Sequence, residues 1–260
     1  MPLATKNTDM TNENQPSKVP QVVFVFWIIK ILCTTLGETG GDAVTMSMNL
    51  GYLVGTAIFF AIFLVAVVAQ VHAKRFHPFL YWITIIATTT VGTTMADLVD
   101  RSLGIGYAAG SLSLLMLLLA SLGLWYWSLG SVSVNTVSTP RVEVFYWVTI
   151  MFSQTLGTAL GDWTADGTNL GYSGSAVLFS LLLIVVAACH FWTKISKTVL
   201  FWAAFILTRP LGAVVGDFLD KPLNHGGLNL SRYTASAVLI FLVIACNLIF
   251  PQKQEQHPER

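Results

Sequence analysis

The sequence predicts an all-α membrane protein with about eight transmembrane helices, arranged as four parallel two-helix repeats in a pseudo-symmetric bundle. Three observations support this prediction. Hydrophobic residues make up 54% of the chain and charged residues only 10%, against about 25% charged residues in soluble domains. The apolar residues form eight stretches, each close to the roughly 20 residues that a helix needs to cross a bilayer. One pattern of tryptophan, glycine and aspartate occurs four times.

The apolar stretches follow one another with short connections, near residues 21–42, 52–71, 79–97, 107–127, 144–162, 172–192, 198–217 and 232–250. Polar segments flank them. Residues 1–20 lack the apolar core of a cleaved signal peptide, and Pro251 is a natural stop for the last helix. We therefore predict disordered cytoplasmic tails at 1–20 and 251–260, a first repeat pair at 21–131 and a second repeat pair at 132–250.

Lys and Arg in the connections predict the orientation, because cytoplasmic connections are enriched in these residues. With the N-terminus inside, nine of them lie on the cytoplasmic side and only Arg101, Lys221 and Arg232 lie on the other side. Both termini are therefore predicted to be cytoplasmic. The formal net charge of +1 gives no reason to expect nucleic acid as a partner, which leaves the lipid bilayer as the predicted surrounding.

The pattern W-x9-G-x4-D recurs four times, once on each odd-numbered helix. An aromatic residue precedes every tryptophan of the pattern. Because each repeat contains two spans, all four copies run in the same direction. The glycines are expected to let neighbouring helix backbones approach closely. The positions are Trp27, Gly37 and Asp42, then Trp82, Gly92 and Asp97, then Trp147, Gly157 and Asp162, and finally Trp202, Gly212 and Asp217.

A polar stripe runs along each of these four helices. In the first repeat Lys30, Thr34, Glu38 and Asp42 are four residues apart, so they lie on one face of an α-helix. If the four faces converge, the protein has a polar axis, with a layer of aspartates toward the outer side and two basic residues deeper in. The equivalent positions are Ile85, Thr89, Thr93 and Asp97, then Ile150, Gln154, Thr158 and Asp162, and finally Phe205, Arg209, Ala213 and Asp217.

The tryptophans predict the depth of these layers, because tryptophan favours the membrane interface. Fifteen residues at about 1.5 Å each place an aspartate about 22 Å above its tryptophan, in the outer third of a hydrocarbon core of about 30 Å. A charge at mid-membrane costs about 2.5–3.5 kcal/mol, so the aspartates should face one another, water or a cation. Lys30 is expected either to face the axis or to extend its stem to the cytoplasmic interface.

Two interpretations of the aspartates remain open: a cation or proton site, and a structural feature of the turns that follow. An acid at a helix C-terminus is disfavoured by about 0.3–1 kcal/mol, and repeating it four times requires compensation. The second acids Asp100, Asp166 and Asp220 are interpreted as solvated loop residues. Glu38 is expected to pair with Arg209 across the axis, as a structural ion pair or as a transport gate.

The donor types favour a hard cation, because the stripes offer carboxylate, hydroxyl and amide oxygens without a cluster of thiols or imidazoles. We predict a transporter for a small cation, most simply manganese or magnesium as substrate, with no permanent cofactor and no enzymatic activity. Proton-coupled transport of a small organic substrate, and a scaffold or sensor, are the alternatives. The sequence is compatible with a monomer and with a homo-oligomer. The predicted pathway residues are Glu38, Thr93, Thr158, Gln154, Arg209 and Lys30, below metal ligands Asp42, Asp97, Asp162 and Asp217.

Three motifs carry a resemblance to a known family. They are "GETGGD" at 37–42, "GTALGDW" at 157–163 and "TRPLGAVVGDFLDKP" at 208–222. In these motifs the chain resembles a family of uncharacterised, membrane-anchored bacterial proteins built from a repeat of unknown function. The resemblance spans about residues 20–250 and implies a multi-pass protein of the bacterial inner membrane. It implies no substrate, so the expected function depends on the residues themselves.

Overall fold

The computed structural model describes residues 17–255, and this part of the chain folds into eight α-helices joined by short connections. The helices coincide closely with the eight predicted stretches. Their bounds are α1 Phe24–Asp42, α2 Gly51–His72, α3 Pro78–Asp97, α4 Tyr107–Leu129, α5 Pro140–Asp166, α6 Gly171–Trp192, α7 Lys197–Asp220 and α8 Arg232–Ile249.

Local sequence explains several helix ends. Pro78 and Pro140 begin α3 and α5, where the missing N–H of proline has no intrahelical partner to lose. Gly130 ends α4 in the left-handed conformation, with φ of 72°. Two of the helices, α1 and α3, are followed by π-helical turns, Ala43–Ser47 and Leu98–Ser102. The chain therefore leaves the bundle differently in repeats one and two than in repeats three and four.

The four odd-numbered helices form an inner ring. α1 packs against α3 and α7, and α5 packs against the same two helices, which closes the ring. The even-numbered helices lie outside it: α2 packs on α3, α4 on α5, α6 on α7, and α8 on α1. Each outer helix thus covers the ring helix of the following repeat, and α8 completes the circle. The predicted all-α bundle of four repeated helix pairs is confirmed.

The ring helices are more buried than the outer helices, as expected when the outer helices face lipid. The ring helices turn most of their surface inward, whereas the outer helices expose large apolar side chains such as Leu53 and Phe241, each 69% accessible. Within the described residues, seven helices are long and apolar enough to cross a membrane. The exception is α5, which carries charged residues at both ends. The chain is therefore a multi-pass membrane protein.

Aromatic residues close one end of the ring, which we call the aromatic end. Each ring helix contributes the residue before its repeat tryptophan, and that residue packs on the tryptophan of the next repeat, with ring centroids 5.3–6.3 Å apart. The hydroxyls of Tyr81 and Tyr146 also lie 2.6 Å apart. The four pairs are Phe26 with Trp82, Tyr81 with Trp147, Tyr146 with Trp202, and Phe201 with Trp27.

These packing pairs give the tryptophans a role other than the interface anchoring on which the depth argument from sequence depends, so the depth stays a prediction. Trp82 and Trp147 are each only 1% accessible, and Trp202 is 5% accessible, so they do not anchor the protein at a lipid interface. The Trp202 indole N–H instead donates to the carbonyl of Val132, 2.9 Å away. The aromatic repeat is a packing device, because rings on adjacent helices bury more area against each other than against lipid headgroups.

The first and last described segments, residues 17–21 and 251–255, pack at the aromatic end. Pro20 and Gln254 form an antiparallel bridge, and the amide of Gln21 donates to the carbonyl of Lys253 at 2.7 Å. Lys18 reaches into the bundle and pairs with buried Glu143 at 2.6 Å. Residues 17–20 and 251–255, expected to be disordered, are therefore ordered by these contacts. The rest of the two predicted tails, 1–16 and 256–260, lies outside the described residues.

Candidate functional site

The four repeat glycines set the spacing of the ring helices. At each of them an added Cβ would press against the residue at the second stripe position of the neighbouring ring helix. The glycines therefore act through packing, as the sequence predicts, and they bring the polar stripes together on the axis. The four contacts are Gly37 with Thr89, Gly92 with Gln154, Gly157 with Arg209, and Gly212 with Thr34.

Arg209 stands at the centre of these layers. Its Nη2 donates to the Glu38 carboxylate at 3.0 Å, to the Thr93 hydroxyl at 2.6 Å and to the Thr158 hydroxyl. The Thr93 hydroxyl in turn donates to Glu38 at 3.1 Å. One guanidinium nitrogen of α7 therefore joins α1, α3 and α5. Arg209 is fully buried, and such a buried ion pair depends on good geometry and additional hydrogen bonds to offset its desolvation.

At the opposite end from the aromatic rings, which we call the acidic end, the four repeat aspartates form two clusters. In the Arg101 cluster, Arg101 Nε lies 2.8 Å from Asp97 and its Nη2 lies 3.4 Å from Asp162. All four aspartates are at most 2% accessible. The ring is therefore divided into two charge-sharing pairs, α3 with α5 and α1 with α7.

The second pair is the Lys221 cluster. The Lys221 Nζ lies 2.7 Å from Asp42 and 3.0 Å from Asp217. Burial lowers the pKa of Lys221, but the carboxylates of Asp217 and Asp42 raise it more, so its pKa lies well above the usual value. Lys221 therefore remains protonated between its two aspartates.

Sequence reasoning used Arg101 and Lys221 only to predict orientation and missed their role at the site. A signal was present: each follows a repeat aspartate by four residues, in repeats two and four. At the equivalent positions of repeats one and three stand Met46 and Asp166. The four-fold repeat thus carries a two-fold pattern of charge, which pairs each odd-numbered repeat with a basic residue from an even-numbered one.

Two of the second acids, Asp100 and Asp220, are buried, which corrects their interpretation as solvated loop residues, whereas Asp166 at the end of α5 is exposed. Asp220 pairs with Arg232 at 3.2 Å, and Asp166 accepts hydrogen bonds from Tyr107 and Tyr172 at 3.3 and 3.1 Å. Asp100 is 8% accessible. The acidic end is therefore a connected polar region that includes the helix ends beyond the predicted aspartate layer.

Two sets of carboxylates lie close enough together to hold a metal ion. One oxygen from each of Glu38, Asp162 and Asp217 lies within 4.8 Å of the others, and the same holds for Asp42, Asp217 and Asp220. Asp97 belongs to neither set, so the four predicted aspartates do not form a single cage, and Glu38 from the next layer completes one set. These all-oxygen sets suit a hard cation.

Two of the four repeat aspartates each leave one carboxylate oxygen open to a ligand. The Oδ1 atoms of Asp42 and Asp162 are buried and have no hydrogen-bond partner within residues 17–255. In both residues only Oδ2 contacts a basic side chain. Buried carboxylate oxygens of this kind require a donor or a cation, because an unpaired buried polar atom costs about 1–3 kcal/mol.

Lys30 does not reach the interface, which corrects one of the two expectations for this residue. It is fully buried, and its Nζ lies 3.2 Å from the Thr208 hydroxyl and 3.5 Å from the Phe205 carbonyl. The ammonium also lies 3.8 Å from the centre of the Phe205 ring, which gives a cation–π contact. Gln154, the remaining predicted pathway residue, is fully buried one layer below Thr158.

Comparison with protein families matches four segments of the chain to one family model, DUF347, described as a Repeat of Unknown Function. The matched segments are residues 25–76, 80–131, 145–196 and 200–251, each of which contains one ring helix and the outer helix that follows it. Neither the search of curated proteins nor the search of solved structures finds a match.

Proposed function

This chain belongs to the DUF347 family, defined by a repeat of unknown function, and we propose that it is a membrane transporter for a small cation. The observation that carries the proposal is the charge balance of the acidic end. From the Glu38 layer outward, eight acidic residues stand against three basic ones, and Arg209, one layer deeper, pairs with Glu38 as a fourth base. The acids are Glu38, Asp42, Asp97, Asp100, Asp162, Asp166, Asp217 and Asp220, and the bases are Arg101, Arg209, Lys221 and Arg232.

An excess of buried carboxylates has to be neutralised. Unpaired charges at membrane depth are costly, and protons or a bound cation are the two ways to remove them. The set of Glu38, Asp162 and Asp217 offers three carboxylates at ligand spacing, and the unpartnered Oδ1 of Asp162 supplies an open donor. With oxygen ligands only, a hard divalent ion such as Mn²⁺ or Mg²⁺ is the preferred substrate.

The contacts of Arg209 provide a route by which binding at the acidic end reaches the middle of the bundle. A cation held by Glu38 competes with the Arg209 guanidinium for the same carboxylate. Release of Arg209 would also free the hydroxyls of Thr93 and Thr158, which it now occupies. In this proposal Arg209 acts as a movable countercharge between the acidic end and the deeper layers.

One observation favours a second function, proton-coupled transport of a small organic substrate. Arg101 and Lys221 already occupy the gaps between the four repeat aspartates. Protons on the remaining carboxylates would neutralise the excess charge without displacing either base. Proton exchange on these carboxylates would then be the coupling step.

Thermal unfolding of the purified protein in detergent separates the two functions. We expect one ion among Mg²⁺, Mn²⁺, Ca²⁺ and Zn²⁺ to raise the unfolding midpoint saturably. A ligand at 100 times its Kd adds about 2.7 kcal/mol of stability. Each variant is compared with and without metal, so that a lower starting stability does not obscure the shift. Asp162→Asn should abolish the shift, whereas Asp166→Asn, which removes the same charge outside both carboxylate sets, should retain it.

Proteoliposomes then test movement of the ion that stabilises the protein. Uptake of that ion by wild-type and Asp166→Asn protein, but not by Asp162→Asn protein, would support cation transport. A different result would contradict cation transport and support the proton-coupled function: no metal raises the unfolding midpoint, the midpoint depends on pH, and Asp162→Asn abolishes that pH dependence.

A further inference from the structure

The middle of the axis contains a buried lysine without a matching acid. On the four ring helices, the segments between the aromatic end and the Thr34 layer contain Lys30 and neither aspartate nor glutamate, apart from Glu143, which pairs with Lys18. Lys30 forms no ion pair within the described residues, and its neighbours are a hydroxyl, a carbonyl and an aromatic ring. A fully buried ammonium with only neutral partners lacks the compensation that buried charges normally have.

One helical turn away, about 6 Å along the axis, the next layer contains donors that the described part of the chain does not satisfy. Arg209 uses only Nη2 in its contacts, and its Nε and Nη1 have no partner. The amide nitrogen and oxygen of Gln154 and the hydroxyl of Thr89 also have none. All three residues are fully buried.

The chemistry of these groups selects the charge of a ligand. Arg209 and Lys30 can only donate hydrogen bonds, and Gln154 contributes two further N–H groups beside one acceptor oxygen. Five N–H groups of Arg209 and Gln154 thus lack acceptors, next to a lysine without a carboxylate. A donor-rich buried layer with excess positive charge is complementary to an anion and repels the cation that the acidic end would bind.

We infer that Lys30, Gln154 and the unpartnered edge of Arg209 form a binding site for a small monovalent anion. Chloride, bicarbonate and acetate are the candidate ions, because each is small and carries a single negative charge. This site goes beyond the proposed cation transport, because it assigns a second ligand of opposite charge to a different layer of the axis.

The structure also provides an approach to this layer that avoids the acidic end. A cavity of about 680 Å³ opens between α1, α6 and α7, and Thr208 forms part of its wall. The hydroxyl of the same Thr208 accepts the hydrogen bond of Lys30. Thr208 therefore contacts both the buried lysine and this cavity, which Lys197 and His190 also line.

The test measures thermal unfolding of the full chain in detergent, in a buffer whose bulky sulfonate is the reference anion. Chloride, bicarbonate and acetate are titrated separately at constant ionic strength and constant cation concentration. We expect a saturable rise of the unfolding midpoint with one of them, at least tenfold stronger in apparent affinity than in Lys30→Met. Gln154→Leu should weaken the same response, and Lys74→Met, which removes an exposed lysine in the connection between α2 and α3, should leave it unchanged.

The outcomes separate this inference from the proposed function. If none of the three anions stabilises the wild-type protein, or if Lys30→Met and Gln154→Leu respond as the wild type does, the anion site is overturned. The metal titration, performed in the reference anion, is independent of this result. A metal shift without an anion shift would remove only the anion site, and the reverse result would remove only the cation site.

Discussion

The acidic and aromatic ends of the bundle are built by the same four helices, yet they follow different symmetries. At the aromatic end, four ring-to-tryptophan contacts pass from each repeat to the next and close the circle. At the acidic end, the aspartates are divided between the Arg101 cluster and the Lys221 cluster. Equivalent backbone positions therefore carry aromatic side chains in a four-fold arrangement and charged side chains in a two-fold arrangement.

The physical reason is the difference in partner requirements. A buried phenylalanine or tyrosine packs on any neighbouring ring of suitable size, so one contact can be repeated four times. A buried carboxylate requires an opposite charge, and a single lysine or arginine can serve two carboxylates. The aromatic end is thus held together by packing between uncharged rings, whereas the acidic end is held together by ion pairs.

Among the variants that test this comparison, Arg209→Met is expected to lose the most stability. The substitution leaves Glu38 buried without its partner, and breaking a buried ion pair typically costs about 3–5 kcal/mol. Chemical denaturation in detergent measures the loss. Adding Glu38→Gln to Arg209→Met should restore part of the stability, because no unpaired charge remains. A loss below about 1 kcal/mol in the single variant would show that Arg209 does not hold the polar layers together.

An intermediate loss of stability is expected from Gly212→Ala, which lies where α7 packs against Thr34 of α1. The added methyl group collides with Thr34, and overpacking of this kind costs about 1–3 kcal/mol. Gly40→Ala is the matched control, because a Cβ at Gly40 meets no atom within 4 Å. Alanine there should be neutral or stabilising by up to about 1 kcal/mol. Equal unfolding midpoints for the two variants would contradict close packing of α1 against α7.

The smallest effect is expected at the aromatic end, from Tyr81→Phe. This variant removes the hydrogen bond to Tyr146 and leaves one buried hydroxyl unpaired, a loss of about 1 kcal/mol. The double variant Tyr81→Phe with Tyr146→Phe should regain most of it, because repeats one and four already carry Phe26 and Phe201 at this level. Unfolding of both variants under identical conditions provides the measurement. A double variant less stable than the single one would show that the hydroxyls do more than satisfy each other.

Much of the fold was predictable from sequence because its signals are local. Apolar stretches of membrane-spanning length defined the eight helices, and the spacing from Trp27 to Asp42 recurred in every repeat. The stripe positions followed from the period of the α-helix, and they correctly placed Glu38 near Arg209. What periodicity could not predict was which outer helix covers which ring helix, because that depends on contacts between repeats.

The candidate site was predictable only in part. The aspartates were found because they repeat. Arg101 and Lys221 were missed as ion-pair partners of those aspartates because a basic residue occurs at this position in only two repeats. The depth of Lys30 was also open in the sequence, since a long stem allows either the interface or the axis. Its contacts with Thr208 and Phe205, both on α7, decided in favour of the axis.

The sequence by itself determined the eight helices, the four repeats and the layers in which their polar residues lie. Those properties depend on residue type and on separation along the chain, which the helical period converts directly into positions on a face. The tertiary structure decided the division of the aspartates into two clusters, the closure by aromatic rings and the burial of Lys30 beside α7. Each of these joins residues far apart in sequence, and close packing between helices, which spacing along one helix does not encode, selects the partner.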